Sequence, residues 1–173
     1  MERVYRPQSD VFQVTTGADA VRHARDRIVA VAIGWGVPLA PEALGDLRVC
    51  ASEVVTNALE HAGGECRVTV RWTGRRLLVE VADRSRRAPV MLSPGDELPS
   101  GRGLLLVQAL AGGWEWERTE SGKVVRFAFT AGTAESFPAG TAESFPAGSA
   151  ESFPTGAAAA AGGCGAPLVA HSR

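Results

Sequence analysis

The sequence has little of several features that mark particular protein classes. Its 173 residues contain one Tyr and three Cys, and no apolar run is long enough to span a bilayer. Residues 1–7 show no apolar stretch after their charges, so we expect no secretory signal and a cytoplasmic location. Cys50, Cys66 and Cys164 lack the spacing of metal ligands, and we interpret them as unpaired thiols in a reducing compartment.

An excess of charge of one sign is also lacking. The chain carries 18 Lys and Arg against 19 Asp and Glu. Without Glu135, Glu143, Glu151 and Arg173, residues 1–130 hold 17 bases and 16 acids. Proteins that bind nucleic acid or membrane surfaces usually have a clear basic excess. We therefore expect no direct nucleic-acid contact and no membrane partner.

The composition changes near residue 130. From Gly132 the octapeptide Gly-Thr-Ala-Glu-Ser-Phe-Pro-Ala occurs twice, and a variant of it starts at Gly148. One proline per unit among small residues argues against packed helix or strand, and the period matches no common solenoid repeat. We predict three parts. They are an N-terminal extension or edge strand (1–14), a folded domain (15–130) and a disordered low-complexity tail (131–173).

Hydrophobic periodicity predicts the elements of the folded part. Helical spacing of apolar residues indicates three helices, and alternating apolar residues indicate two hairpins. The helices run from Gly17 to about Ile33, from Pro41 to Ala62 and from Gly103 to about Ala111, and the hairpins pair 68–72 with 77–81 and 114–118 with 124–129. This order predicts an α/β two-layer sandwich (α+β), with a mixed, mostly antiparallel sheet and helices packed on one face.

Three motifs of polar residues and glycines stand out against this pattern. Glu53, Asn57 and His61 recur every four residues, which places them on one face of the second helix. Asp83 closes a strand, and Gly101–Gly103 opens the third helix. A carboxylate and a carboxamide one turn apart, a second carboxylate and a glycine-flanked helix start together indicate a nucleotide site.

Each motif has a simpler interpretation when it is taken alone. An Asn one turn after a Glu can be a solvent-facing polar pair, an Asp at a strand end commonly starts a loop, and glycines before a helix can form an ordinary turn. His61 can equally well cap the end of its helix, so we leave it outside the site. The combination of the three motifs in this order favours the functional interpretation.

The same motifs resemble those of the GHKL (histidine kinase-like) ATPase superfamily over about residues 15–130. The segment Glu53–His61 is similar to the first nucleotide-binding box, and Asp83 stands where the adenine-contacting aspartate lies. Gly101–Leu104 resembles the second glycine box. Within the superfamily the chain looks like the short actinobacterial ATP-binding regulators and the anti-sigma factor serine kinases. The resemblance implies ATP and Mg2+ as cofactors.

Roles for individual residues follow from this resemblance, and their chemistry allows them. Asn57 would ligate Mg2+, which takes few protein oxygens beside phosphates and water. Glu53 would be the catalytic base near the γ-phosphate, and Asp83 would accept a hydrogen bond from the adenine amino group. Backbone N–H groups at the helix start would bind the phosphates, and they belong to Gly101, Gly103 and Leu104.

The family architecture narrows the implied function. Sensor histidine kinases need a phospho-accepting helical hairpin, and gyrase- or MutL-type proteins need a transducer domain, and the sequence suggests neither. The resemblance therefore implies a serine/threonine protein kinase that phosphorylates a small anti-sigma factor antagonist, binds a sigma factor and forms a homodimer. The alternative is a non-catalytic nucleotide-binding module that sequesters a regulatory partner. It is favoured by residues 84–87, where many relatives have two glycines and this chain has none.

Overall fold

The computed structural model describes residues 7–89 and 102–131 of the chain. In chain order its elements are β1 (Gln8–Thr15), α1 (Ala20–Gly34), α2 (Pro41–His61), β2 (Glu65–Trp72), β3 (Arg76–Asp83), α3 (Gly103–Leu110), β4 (Trp114–Arg118) and β5 (Lys123–Thr130). Three predictions lie outside the described residues: the role of Gly101, the unpaired thiol of Cys164, and the disorder of the tail from residue 132 onward.

The five strands form one sheet in the order β1-β2-β3-β5-β4. Each neighbouring pair is antiparallel, and β2–β3 and β4–β5 are the two predicted hairpins. In the first hairpin the turn contains Gly74 at a φ of 90°, which favours glycine. On the side of β3 away from β2 lies β5, with Val79 opposite Phe127. The predicted α+β two-layer sandwich is confirmed.

The hydrophobic core lies between the helices and one face of the sheet. Side chains that point to this face alternate along the strands and are almost completely buried; they include Val68 and Val70 on β2, Leu77, Val79 and Val81 on β3, and Val125, Phe127 and Phe129 on β5. Ile28 of α1 and Val55 of α2 pack over them from the helix layer. Each buried side chain of this size contributes about 1.5–3 kcal/mol, so this layer is the main source of stability.

The helix boundaries follow from local backbone chemistry. Asp19 has a φ of 61°, a left-handed conformation that an α-helix does not contain, so α1 begins at Ala20 and not at the predicted Gly17. Pro41 occupies the first turn of α2, where its missing N–H costs nothing. After His61 the chain leaves the helix through Gly63 and Gly64, both at positive φ. The predicted second helix is therefore confirmed to within one residue of its end.

Two expectations from the composition can be compared with the fold. Cys50 and Cys66 are free thiols buried in the core, which agrees with their interpretation as unpaired residues. Among the helices in residues 7–89 and 102–131, none has both the length and the hydropathy that crossing a bilayer requires.

Candidate functional site

The second helix carries two of the predicted site residues at the edge of its buried face. The buried residues of α2 are Leu47, Cys50, Ala51, Val54, Val55 and Ala58. Glu53 and Asn57 are half-buried and lie one helical turn apart. The apolar positions hold α2 against the sheet and α3, so the two polar side chains have a defined position at the margin of the core.

Glu53 and Gly103 approach each other closely in the site. A Cβ added to Gly103 would overlap the Glu53 carboxylate and would lie 3.2 Å from Glu53 Cβ. Gly103 is itself buried, so the backbone at the start of α3 lies directly against the Glu53 side chain. A larger residue here would displace the Glu53 carboxylate, and this contact brings together two residues that the sequence had predicted for the site.

The start of α3 has two backbone N–H groups outside the helical hydrogen-bond ladder. The Arg102 carbonyl accepts hydrogen bonds from the N–H groups of Leu105 and Leu106, so the N–H groups of Gly103 and Leu104 precede the helical ladder. The first turn of α3 contains no acidic residue, and Arg102 makes no side-chain cap. The Leu104 side chain is buried at 3% exposure, so Leu104 can contribute to phosphate binding only through its backbone.

Asp83 ends β3 on the face that also carries Val81. It lies opposite Cys66 on β2 and Lys123 on β5. The ammonium nitrogen of Lys123 is 3.0 Å from Asp83 Oδ1 and 2.9 Å from Oδ2. This ion pair compensates the cost of burying the carboxylate. Burial and, secondly, the nearby Asp83 charge raise the pKa of the Cys66 thiol to about 12, so Cys66 is neutral at physiological pH.

The loop after Asp83, where many relatives have two glycines, is held by hydrogen bonds. The Ser85 N–H donates to Asp83 Oδ1 at 2.7 Å, and the Ser85 hydroxyl accepts from the Arg87 N–H at 3.3 Å. Gly122 lies so close to the Asp83 carbonyl that an added Cβ would overlap it. Ser85 therefore fixes the Asp83 carboxylate, and Gly122 allows the neighbouring turn to approach the strand end.

Chain connectivity places Asn57 and Asp83 at the same end of the domain. Three residues join the end of α2 at His61 to the start of β2 at Glu65, which limits that separation to about 14 Å. The second residue of β2, Cys66, is opposite Asp83. Asn57 is one turn before the end of α2. The structure thus joins Glu53 to Gly103 directly and sets Asn57 and Asp83 near the same sheet end.

The donors at this end fit a magnesium ion that is held mainly by phosphate and water. In the described parts of the chain, no group of three or more His, Cys, Asp or Glu side chains could hold a metal ion. Asn57 supplies one hard amide oxygen, and the start of α3 suits the phosphates that would supply others. The residues present therefore fit a metal–nucleotide complex better than a metal ion alone.

Lys123 and Ser85 contact Asp83 but were not among the predicted site residues. Ser85 was noted only as the residue that replaces glycine. Lys123 carries a weak signal, because it continues the buried alternation of Val125, Phe127 and Phe129. Its partner could not be inferred, since that requires knowing that β5 lies beside β3.

Comparisons with known proteins address the same region. The family described as "Histidine kinase-like ATPase domain" matches residues 14–129, more than half of the chain. The crystal structure of the RsbU and RsbW domains of Rv1364c from Mycobacterium tuberculosis has a TM-score of 0.53 and 18% sequence identity. The similarity covers 70% of this chain but 31% of that one, and it is a likeness of fold. No curated protein matches.

Proposed function

The chain belongs to the histidine kinase-like ATPase domain family, and from this premise we propose that it binds ATP with Mg2+ and transfers the γ-phosphate to a small protein. The acceptor is a serine or threonine hydroxyl. The approach of Gly103 to Glu53 carries the proposal, because it sets a carboxylate beside a helix start that is suited to phosphate. The half-buried Asn57 on the same helix face supports it.

Each residue has a role that its position allows. Asn57 would hold Mg2+, which when bound draws charge from the phosphate oxygens. The N–H groups of Gly103 and Leu104 would bind those oxygens. Glu53 would accept the proton of the attacking serine or threonine hydroxyl. The hydroxyl oxygen would bond to the γ-phosphorus while the bond from that phosphorus to the β–γ bridging oxygen breaks, which releases ADP. Asp83 would accept a hydrogen bond from the amino group of adenine.

The partner class is proposed on two grounds. The segments 53–61 and 101–104 resemble those of anti-sigma factor serine kinases, and a solved structure with this fold contains a domain named RsbW. We therefore propose an anti-sigma factor antagonist as the phosphoryl acceptor and a sigma factor as the binding partner. On this proposal the protein is a cytoplasmic regulator of transcription that acts as a homodimer.

A second function is favoured by one observation. Asp83 is 1% exposed, and its carboxylate is already held by Lys123 and Ser85. Because the carboxylate that would bind adenine is buried and held in place, this site suits slow exchange of nucleotide more than repeated turnover. On this alternative the domain binds nucleotide and sequesters a regulatory partner without phosphoryl transfer.

Transfer of label from γ-labelled ATP to candidate antagonist proteins tests the proposal. We expect Glu53→Gln to lower transfer by about 10²–10⁴-fold while ATP affinity stays within about twofold, because the carboxylate serves proton transfer. Glu60→Gln is the matched control, since Glu60 is exposed on the same helix, and its transfer should equal that of the unaltered protein. Binding without transfer to any acceptor would support the second function, and absence of ATP binding would contradict both.

A further inference from the structure

A buried ammonium group beside the proposed base-binding carboxylate has no role in the function described so far. Lys123 begins β5 directly opposite Asp83 and contacts both of its carboxylate oxygens. The two side chains are 7% and 1% exposed. Since little water reaches either group, hydrogen bonds that they make are stronger than those at a surface. A ligand that reaches Asp83 therefore meets Lys123 as well.

The pair has at least one acceptor and one donor position left over. Oδ1 of Asp83 accepts from the Ser85 N–H and from Lys123, which uses both of its lone pairs. Among the described contacts Oδ2 has one partner, the Lys123 ammonium nitrogen at 2.9 Å, so at least one of its lone pairs remains. An ammonium group has three N–H donors at tetrahedral angles, and the two oxygens of one carboxylate lie too close together to occupy all three, so at least one N–H remains. Acceptor and donor thus lie side by side, separated by the 2.9 Å of the ion pair.

We propose that Lys123 is a base-recognition residue, an inference that rests on the proposed nucleotide site. Lys123 donates a remaining N–H to N1 of adenine while Oδ2 of Asp83 accepts from the 6-amino group. The Watson–Crick edge of adenine carries an amino donor next to the N1 acceptor, which is the complement of this pair. A carboxylate alone reads one of these groups, whereas the Asp83–Lys123 pair reads both.

Analogues of ATP that lack one group each test the two contacts in the unaltered protein. The analogue 1-deaza-ATP has no N1 acceptor, and purine riboside triphosphate has no 6-amino group. By calorimetry on the full chain with Mg2+, each should bind about tenfold or more weakly than ATP, since a hydrogen bond to a charged group is lost. Equal affinity for ATP and 1-deaza-ATP would overturn the Lys123 assignment and leave the nucleotide site standing. Failure of ATP itself to bind would refute the proposed function.

Lys123→Met tests the donor directly, because methionine keeps most of the length and has no N–H. In this variant ATP and 1-deaza-ATP should bind equally, since no donor to N1 remains. A preference for ATP that is unchanged, or ATP binding tighter than in the unaltered protein, would overturn the assignment; the latter would show that Lys123 obstructs the site.

Two further variants keep the test decisive. Lys123→Met leaves the Asp83 charge unpaired and can unfold the protein. If circular dichroism shows that the fold is lost, the double variant Asp83→Asn, Lys123→Met takes the place of the single variant. The double variant should also bind ATP and 1-deaza-ATP equally. Arg126→Met is the matched control, because Arg126 lies on the opposite face of the same strand. It should retain the full preference for ATP, and loss of the preference there would contradict a local role for Lys123.

Discussion

The strands β3 and β5 are joined by two acid–base pairs on opposite faces of the sheet. On the face toward the helices Asp83 contacts Lys123, and we call these residues the inner pair. On the other face Glu80 contacts Arg126, with Arg126 Nε 2.7 Å from Glu80 Oε1, and we call these residues the outer pair. Residues of both pairs lie directly opposite each other in the strand register. The two pairs share their strands and their chemistry, and they differ in their neighbours.

The outer pair belongs to a larger cluster of ion pairs, which we define as Arg71, Glu80, Glu115, Glu117 and Arg126. Arg126 contacts all three glutamates, and Arg71 is 3.2 Å from Glu80. Burial alone would lower the pKa of Arg126, but hydrogen bonds to Glu117 and Glu80 raise it above its usual range. This cluster holds strands together. The inner pair keeps donor and acceptor capacity, and it is the pair to which we assign base recognition in our proposal.

The largest expected effect on stability comes from removing one residue of the inner pair. Asp83→Ala leaves the Lys123 ammonium buried without its partner, and we expect a loss of about 3–5 kcal/mol in the free energy of unfolding. Urea denaturation measures it. The double variant Asp83→Ala, Lys123→Met is the control and should recover most of the loss. If the single variant costs less than about 1 kcal/mol, the pair is solvated and the comparison fails.

Breaking the outer cluster should cost less and leave binding intact. Arg126→Met removes hydrogen bonds to Glu80 and Glu117, but Glu117 is 48% exposed and can be solvated. We expect a loss of roughly 2 kcal/mol in unfolding free energy, mostly from Glu80, and ATP affinity within about twofold. A folded variant that has lost ATP binding would show that the outer face also belongs to the site.

Gly103 offers a test on the inner face that does not touch the ion pair. Gly103→Ala forces the added Cβ into the space of the Glu53 side chain, so we expect about 1 kcal/mol of destabilisation and at least about tenfold slower phosphoryl transfer. Gly45→Ala is the matched control, because a Cβ there meets no atom within 4 Å, and it should stabilise α2 by about 0.5–1 kcal/mol. Unchanged transfer in Gly103→Ala would remove the main support for the proposed kinase.

The smallest effect concerns the pH dependence of the outer cluster. The hydrogen bond from Arg126 holds the pKa of Glu117 below its ordinary value of 4.5. Glu117 therefore contributes stability above pH 4.5 that is lost as the pH falls through the lower folded-state pKa. Solvent exposure limits this to about 0.5 kcal/mol. Between pH 7 and 3, Glu117→Gln should lose less unfolding free energy than the unaltered protein, and an identical loss would contradict the assignment.

Local patterns were sufficient to predict much of the fold. The second helix followed from apolar spacing and from Pro41 and Gly63, and the hairpins followed from alternation around turns such as Gly74. These signals act over a few residues and need no tertiary information. The two-layer arrangement then followed from the order of the elements, and the family resemblance of Glu53–His61 agreed with it.

Long-range relations were not accessible in the same way. The approach of Gly103 to Glu53 links positions 50 residues apart in the sequence. The meeting of Lys123 with Asp83 depends on β5 lying between β3 and β4, a choice that no local pattern encodes. Sequence patterns therefore predicted the candidate residues of the site, and the structure added Lys123 as the partner of Asp83.

Calorimetric titration of ATP with Mg2+ into the full chain, its Asp83→Asn variant and its Arg126→Met variant tests the central claim most directly. We predict one ATP per chain, affinity at least about tenfold lower in Asp83→Asn, and affinity within about twofold of the unaltered protein in Arg126→Met. Equal affinity in all three proteins, or a loss confined to a folded Arg126→Met, would contradict the assignment of the nucleotide site to the helix-covered face of the sheet.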